Sequence, residues 1–218
     1  MPQDLLLTAA SAIYDPVTTT DELIPSGETS SYRSNPLRLA EFTLSRRVPD
    51  YVPRAKKIAE EESKRRSGCA SETLRAALAR FGDADTLLSV TQLGSCVFAN
   101  KPGDGSAREQ AASCQKVLGG FANICYEYAT KRYRSNCVNW GILPFTVESS
   151  LGVSVGDFIY VPDVRSKVEN GDEAFAAKLV SGEKKRDITL YLKNTTAEER
   201  ELLLTGCLMN HYAAQSRE

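Results

Sequence analysis

A glycine-rich loop between a predicted strand and a predicted helix constrains the fold more than any other feature of this sequence. Apolar and β-branched residues over 87–98 predict a partly buried strand, and the loop follows at 103–109 with the sequence G-D-G-S-A-R-E. A helix is predicted over 106–118, and it ends at Gly119-Gly120, where residues that tolerate positive φ belong. A strand that passes through a short loop into a helix indicates an α/β protein.

The start of this helix has two interpretations, which the sequence leaves open. Ser106 followed three residues later by Glu109 is the pattern of a capping box, in which two side chains satisfy backbone N–H groups. The loop also suits an anion, because free N–H groups and the helix dipole favour negative charge and Arg108 adds a carboxylate-binding fork. Arg108 stands where a dinucleotide-binding G-x-G-x-x-G needs its third glycine, and no Gly-Lys-Ser/Thr of a Walker loop follows.

The remaining elements predict one domain with a mixed sheet. A short helix over 37–44, a charged helix over 52–66 and a second helix over 72–81 form a helical excursion from the α/β body. Residues 22–24 form at most a short strand before a turn-rich loop. Later strands are predicted over 121–125, 157–161 and 187–192, and later helices over 127–134 and 198–212, the last with a capping box at Thr196 and Glu199.

Composition and charge exclude several classes of protein. The 218 residues are 42% hydrophobic and 25% charged, which is typical of a globular chain and not of a disordered one. A net charge of −1 creates no overall field for nucleic acid, so nucleic-acid binding through the basic runs at 54–66 and 131–134 is not favoured. The run at 131–134 is interpreted as a solvated or intramolecularly paired helix face. Apolar runs fall far short of the ~20 residues of a membrane span, and the N-terminus has no signal-peptide pattern. We therefore expect a cytoplasmic protein that binds neither nucleic acid nor membranes.

Cysteine and histidine usage predicts no metal site within this chain. No two of the six cysteines are closer than eleven residues, whereas zinc and iron–sulfur sites usually contain C-x-x-C or C-x-C pairs. The single histidine, His211, is interpreted as a packing or surface residue of the last helix rather than as part of a catalytic triad. We expect the cysteines to be small, buried, apolar residues.

Four motifs, taken in order, resemble the C-terminal swivel domain of the aconitase and isopropylmalate isomerase family. T-T-D-E-L-I-P at 19–25 resembles that domain's opening T-T-D-x-I-x-P, and Tyr32-Arg33 resembles the Tyr-Arg pair of aconitases. The loop at 103–109 is similar to the family's G-x-G-S-S-R-E, and the segments 118–120 and 134–144 resemble its L-G-G and N-x-x-x-x-G-L/I-L-P blocks. The resemblance implies a swivelling β/β/α domain, whose mixed sheet forms a partly closed barrel flanked by helices.

The resemblance also implies how the chain is divided. Residues 1–218 would form a single swivel domain with its core over about 15–165 and a C-terminal strand and helix over 186–212. The helices before the glycine-rich loop would be an insertion at about 35–83.

Particular residues acquire roles from the same resemblance. Ser106 matches the family's catalytic base, a serine that acts as an alkoxide on the carbon next to a carboxylate, and the helix N-terminus and Arg108 would stabilise its negative oxygen. Arg108 and Arg33 would bind substrate carboxylates, and Asp21 would orient groups at the site. Ala107 lies at a substrate-binding position where the family has a second serine, so one hydroxyl donor is missing here.

A partner is also implied. Family members use a [4Fe-4S] cluster as the Lewis acid on the departing hydroxyl, and they hold it with a cysteine and a C-x-x-C pair that this chain lacks. The cluster would belong to a large subunit or to N-terminal domains of the same enzyme, and this chain would bind no cofactor.

The implied reaction is the reversible dehydration and rehydration of a hydroxy polycarboxylate. A citrate- or isocitrate-like tricarboxylate is favoured, because Tyr32-Arg33 resembles the aconitase pair. The alternative function is a non-catalytic binding or regulatory module derived from the swivel domain.

Overall fold

Seven strands form one mixed sheet that closes into a barrel in the computed structural model, which describes residues 1–148 and 150–216. The strands are β1 (Asp4–Ile13), β2 (Thr18–Thr19), β3 (Thr91–Ala99), β4 (Pro102–Asp104), β5 (Gly120–Cys125), β6 (Leu143–Thr146), β7 (Phe158–Val161), β8 (Ala174–Ser181) and β9 (Lys184–Tyr191). Their order around the barrel is β1-β3-β5-β6-β9-β8-β7, and β2 and β4 form a separate two-stranded sheet.

The barrel has a parallel part and an antiparallel part. Neighbouring strands in the series β1, β3, β5 and β6 run parallel, whereas β7 pairs antiparallel with β1, and β8 pairs antiparallel with β7 and β9. β6 and β9 meet at one residue pair, Thr146 and Tyr191, so the closure is weakest there. The expected mixed sheet and partly closed barrel are confirmed.

Helices flank the barrel and form the predicted insertion. The helices are α1 (Thr20–Leu23), α2 (Ser26–Thr29), α3 (Pro36–Ala40), α4 (Tyr51–Arg66), α5 (Glu72–Ala79), α6 (Ala84–Val90), α7 (Arg108–Val117), α8 (Lys131–Asn139), α9 (Val164–Asn170), α10 (Ala197–Thr205) and α11 (Leu208–Gln215). The helices α3 to α6 lie between β2 and β3, which confirms the insertion. None of the helices in the described residues is long and apolar enough to cross a membrane.

β1 is buried on both faces, and this explains why the sequence does not predict it. Leu5, Leu7 and Ala9 belong to one core cluster, whereas Ala10 and Ile13 belong to a second cluster that includes buried side chains of α4, α7 and α8. A strand buried on both faces has a nearly continuous apolar run and lacks the alternation of a half-exposed strand. The sequence also fails to predict α9 and β8.

In two places where the sequence predicts strand residues, the structure has a short helix whose start is capped by a side chain. Residues 22–24 are not a strand: α1 ends at Leu23, and it starts with a capping box formed by Thr19 and Glu22. The first part of the predicted strand 87–98 is α6, because the Asp83 carboxylate accepts a hydrogen bond from the backbone N–H three residues later, at 2.9 Å. Both predictions were wrong in type for these residues.

Two predicted helices have different limits. The helix expected over 127–134 begins four residues later, after Thr130, whose Oγ1 accepts a hydrogen bond from the third helical N–H at 3.2 Å. The capping box at Thr196 is confirmed, but the helix predicted over 198–212 is divided into α10 and α11 at Gly206, which has a φ of +98°.

Four of the six cysteines are buried, as expected for small apolar residues, and the four are Cys96, Cys114, Cys125 and Cys137. Burial raises the pKa of the Cys96 thiol to about 12, because its thiolate would lose hydration in the core. These thiols remain protonated at neutral pH and serve to fill the core.

We expect Cys96→Ala to reduce the loss of stability at high pH. The thiol titrates near ~8.5 in the unfolded chain, so above that pH the unfolded chain releases a proton that the folded protein keeps until about pH 12. The stabilisation is therefore complete below about pH 8.5 and is lost as the pH rises, by up to about 1.4 kcal/mol per pH unit.

Urea denaturation between about pH 8.5 and about pH 10.5 measures this slope. The free energy of unfolding of Cys96→Ala should decline less steeply than that of the wild type. Cys69→Ala is the matched control, because Cys69 is exposed in the folded protein. Equal slopes for the wild type and Cys96→Ala would contradict the prediction.

Candidate functional site

The opening motif at 19–25 and the glycine-rich loop at 103–109 meet through a short parallel sheet. β2 pairs with β4, with Thr18 opposite Pro102 and Thr19 opposite Asp104. The next contact requires a glycine, because a Cβ at Gly105 would lie 2.2 Å from Oγ1 of the buried Thr20, and the φ of Gly105 is +131°. The opening motif and the glycine-rich loop therefore form one packed unit.

The start of α8 supports this loop from the other side. Thr130 Oγ1 donates a hydrogen bond to the Gly103 carbonyl at 3.1 Å, and the Ala129 N–H donates to the Pro102 carbonyl at 3.0 Å. Tyr133 packs against Gly103, and its hydroxyl lies in the core, where it accepts hydrogen bonds from two buried amide side chains at 2.9 Å. Burial raises the pKa of Tyr133 well above its usual value, so the phenol stays neutral.

The N-terminus of α7 has no side-chain cap, so of the two interpretations of Ser106 the capping box is wrong. α7 begins at Arg108, its N-cap residue is Ala107, and no side chain accepts a hydrogen bond from the first turn. Glu109 instead accepts a hydrogen bond from Trp140 Nε1 at 3.1 Å. Exposed Ser106 therefore stands beside helix N–H groups without a side-chain cap, which together with the helix dipole favour an anion.

Two adjacent depressions share Ser106. The first has a volume of about 430 Å³ and is lined by Ser26, Arg33, Ser106, Ala107, Glu109 and Gln110. The second has a volume of about 380 Å³ and is lined by Ser106, Arg108, Glu109, Lys131, Arg132, Ser135 and Asn136. The structure thus brings Ser106 together with Arg33 and Ala107 on one side and with Arg108 on the other.

Asp21 does not line the first depression, but it is hydrogen-bonded to Ser26, which does. Its Oδ1 accepts hydrogen bonds from the Ser26 backbone N–H at 3.0 Å and from Ser26 Oγ at 3.1 Å. Its Oδ2 pairs with Arg46 at 3.1 Å. These contacts suit a residue that orients the lining of the depression, and this role of Asp21 stays a prediction.

The two predicted carboxylate-binding arginines reach the site without ion pairs. In the described part of the chain, neither Arg33 nor Arg108 pairs with a carboxylate, and Arg108 Nε is buried without a hydrogen-bond partner. Arg33 follows a 3₁₀ turn that Tyr32 anchors by stacking on Phe42, with ring centroids 5.3 Å apart. Unpaired guanidinium groups beside an uncapped helix form a positive site.

Sequence reasoning assigned four of the lining residues to the site and missed the others, among them Ser26, Lys131 and Arg132. Ser26 gives no signal in the sequence, because its place depends on the hydrogen bonds that it donates to Asp21. Lys131 and Arg132 belong to the basic run at 131–134, whose composition indicates a solvated or intramolecularly paired face, and in the structure both line the same depression as Ser106. A larger depression of about 580 Å³ lies along β8 and β9 and contains none of the predicted site residues.

A metal ion does not fit the described residues. Over residues 1–148 and 150–216, no three His, Cys, Asp or Glu side chains come together as metal ligands. The described part of the chain therefore offers no ligand set for a [4Fe-4S] cluster.

A family model described as the aconitase C-terminal domain matches residues 63–150. The resemblance to that domain is confirmed. The matched stretch contains Ser106, Ala107 and Arg108, whereas Asp21 and Arg33 lie outside it. No curated protein sequence gives a significant match to the chain.

A solved structure shares the fold of this chain. The crystal structure of a 3-isopropylmalate dehydratase from Methanocaldococcus jannaschii is similar, with a TM-score of 0.58 and 19% sequence identity. The similarity covers 100% of this chain and 96% of that chain. At this identity the likeness shows the fold alone.

Proposed function

We propose that this chain is the small subunit or the C-terminal portion of an iron–sulfur hydro-lyase. It would supply a serine base and carboxylate-binding arginines for the reversible dehydration of a hydroxy polycarboxylate. One observation carries the proposal: exposed Ser106 lies between Arg33 and Arg108 at a helix N-terminus that no side chain caps. The match of residues 63–150 to the aconitase C-terminal domain supports it.

Ser106 would take the proton. As an alkoxide, its Oγ accepts the proton from the carbon next to a carboxylate, the C–H electron pair forms the double bond, and the hydroxyl leaves from the neighbouring carbon. A free serine is too weak a base for this step. The N–H groups of α7 and the Arg108 guanidinium stabilise its negative oxygen, and the half-buried position of Arg108 strengthens that interaction.

Arg33 and Arg108 would hold the substrate on two sides of Ser106. Each guanidinium offers a bidentate fork that fixes a planar carboxylate, which a lysine cannot do. Their positions in two neighbouring depressions suit a substrate whose carboxylates lie on both sides of the reacting carbons. Asp21 would keep Ser26 oriented in the Arg33 depression.

The cluster would belong to a partner. We place the [4Fe-4S] group on a large subunit or on N-terminal domains of the same enzyme. This chain would then form a complete site only when docked, with the Ser106 loop and Arg33 facing the partner.

An anaerobic affinity purification of the tagged chain from its native lysate tests the proposal. We expect the eluate to contain iron and sulfide in an associated protein and to interconvert citrate and isocitrate, and we expect the activity to disappear when the tagged chain carries Ser106→Ala. The variant is the matched control, because it should retain the same associated protein. A folded chain that purifies without iron or hydratase activity would contradict the proposal.

The alternative is a binding or regulatory module that kept the fold and lost the chemistry. Ala107 favours it, because the residue removes a hydroxyl donor next to the proposed base. Titration of the chain alone with a tricarboxylate separates the two functions. Clear binding without a partner favours the module, whereas binding that requires the partner favours the hydro-lyase.

A further inference from the structure

Lys131 and Arg132 line the Arg108 depression next to Ser106. They are the first two residues of α8, and the position of that helix start is set by Thr130, which bonds to both the helix and the Gly103 carbonyl. The two basic side chains therefore extend from a backbone that is tied to the glycine-rich loop. Their place beside Ser106 is a consequence of the fold and not of a mobile surface segment.

These two cations are unpaired, while basic residues nearby are paired. In the described part of the chain, Lys131 and Arg132 form no ion pair, whereas Arg134 on the same helix pairs with Glu199 at 2.9 Å. Lys101 near the loop pairs with Glu127 at 2.9 Å. Lys101 and Arg134 near the loop are thus ion-paired, whereas the basic residues that line the two depressions are not, within the described residues.

The residues that line the two depressions carry an excess of positive charge. Arg33, Arg108, Lys131 and Arg132 line the two depressions, and Glu109 is the one carboxylate among the lining residues. Glu109 accepts a hydrogen bond from Trp140 Nε1. Four cations against one carboxylate leave an excess of positive charge that an anionic ligand would neutralise.

The basic residues also stand at the wrong end of their helix for stability. The N-terminus of a helix favours acidic residues, because the dipole places positive charge there, and the first turn of α8 contains none. Two cations at this position repel the helix dipole, and a bound anion between them and the dipole would remove that repulsion.

We propose that Lys131 and Arg132 form a carboxylate subsite on the Arg108 side of Ser106. This inference rests on the proposed function and specifies its substrate class. Arg33 takes one carboxylate, Arg108 takes a second, and the Lys131–Arg132 pair takes a third, so the substrate is a tricarboxylate rather than a dicarboxylate.

Two inert probes test the subsite by calorimetry. Tricarballylate and glutarate have the same carbon chain, and they differ by the central carboxylate. The experiment uses the full chain with any subunit that it retains on purification. We expect Lys131→Gln/Arg132→Gln to weaken tricarballylate binding at least about tenfold and glutarate binding less than about twofold, since the double variant removes contacts to one carboxylate.

The control variant is Arg66→Gln/Lys184→Gln. It changes the net charge by the same amount at two exposed residues that line neither depression. We expect both affinities to stay within about twofold of the wild type. The single variants Lys131→Gln and Arg132→Gln, each checked by thermal unfolding, replace the double variant if that variant does not fold.

Three results would overturn the subsite. They are an equal loss for both probes, no loss for tricarballylate, and no tricarballylate binding by the wild-type protein. Turnover is measured separately, so the two proposals fail differently. A wild-type complex without hydratase activity that still prefers tricarballylate in a Lys131- and Arg132-dependent way refutes the proposed function and leaves the subsite in place.

Discussion

Ser106→Ala should lower kcat of the assembled enzyme by about 10²–10⁴-fold, the contribution of a positioned general base. The alanine removes the oxygen that takes the proton, and it leaves Arg33, Arg108 and the N–H groups of α7 in place. KM should therefore change little, because the groups that bind the carboxylates remain. Steady-state kinetics with citrate and with isocitrate measure both parameters.

Ser113→Ala is the control for this experiment. Ser113 lies on α7, its hydroxyl donates to the Gln110 backbone carbonyl at 3.4 Å, and its side chain lines neither depression. Its removal should leave kcat within about twofold of the wild type. If Ser106→Ala keeps more than about a tenth of the wild-type kcat, the barrier has risen by less than ~1.4 kcal/mol and Ser106 is not the base.

Gly103→Ala should be strongly destabilising, by about 2–5 kcal/mol. A Cβ at Gly103 would lie 2.2 Å from Cδ1 of Tyr133, and the φ of Gly103 is +95°, which L side chains rarely adopt. Tyr133 is fully buried and its hydroxyl is held by Gln115 and Asn123, so the ring has little freedom to move away. Urea denaturation monitored by circular dichroism measures the loss.

Gly27→Ala is the matched control. An added Cβ at Gly27 meets nothing within 4 Å, and Gly27 lies within the short helix α2. The change should be neutral or stabilising by up to about 1 kcal/mol, because alanine favours helix more than glycine does. A loss below about 1 kcal/mol in Gly103→Ala would mean that Tyr133 does not restrict the loop as the structure indicates.

The same four-residue pattern has different outcomes at two places in the chain, Ser106–Glu109 and Thr196–Glu199. The Thr196–Glu199 pattern forms the predicted capping box, because Glu199 is close enough to bond back to the helix start. The Ser106–Glu109 pattern does not, and Glu109 bonds to the Trp140 indole instead. A local sequence pattern predicts a capping box, but the box does not form where the glutamate bonds to another residue, as Glu109 does to Trp140.

The basic run at 131–134 shows a similar limit. From composition alone, a run of cations in a nearly neutral protein indicates a solvated or intramolecularly paired face, and Arg134 is paired with Glu199 in this way. Lys131 and Arg132 line the Ser106 depression because the helix starts after Thr130 and docks on Gly103. The residue pattern does not show where α8 starts or that its first turn packs against the glycine-rich loop.

By itself, the sequence determined the features that depend on neighbouring residues. Short-range preferences predict the charged helix α4 and the capping box of α10. The loop motif alone singles out Ser106 and Arg108 as candidate site residues. The tertiary structure alone decided that β1 is buried on both faces, that β2 joins β4, and that Arg33 and Lys131 flank one serine. These depend on packing and hydrogen bonds between residues far apart in the chain, and such contacts override local preference because they determine which polar groups find partners.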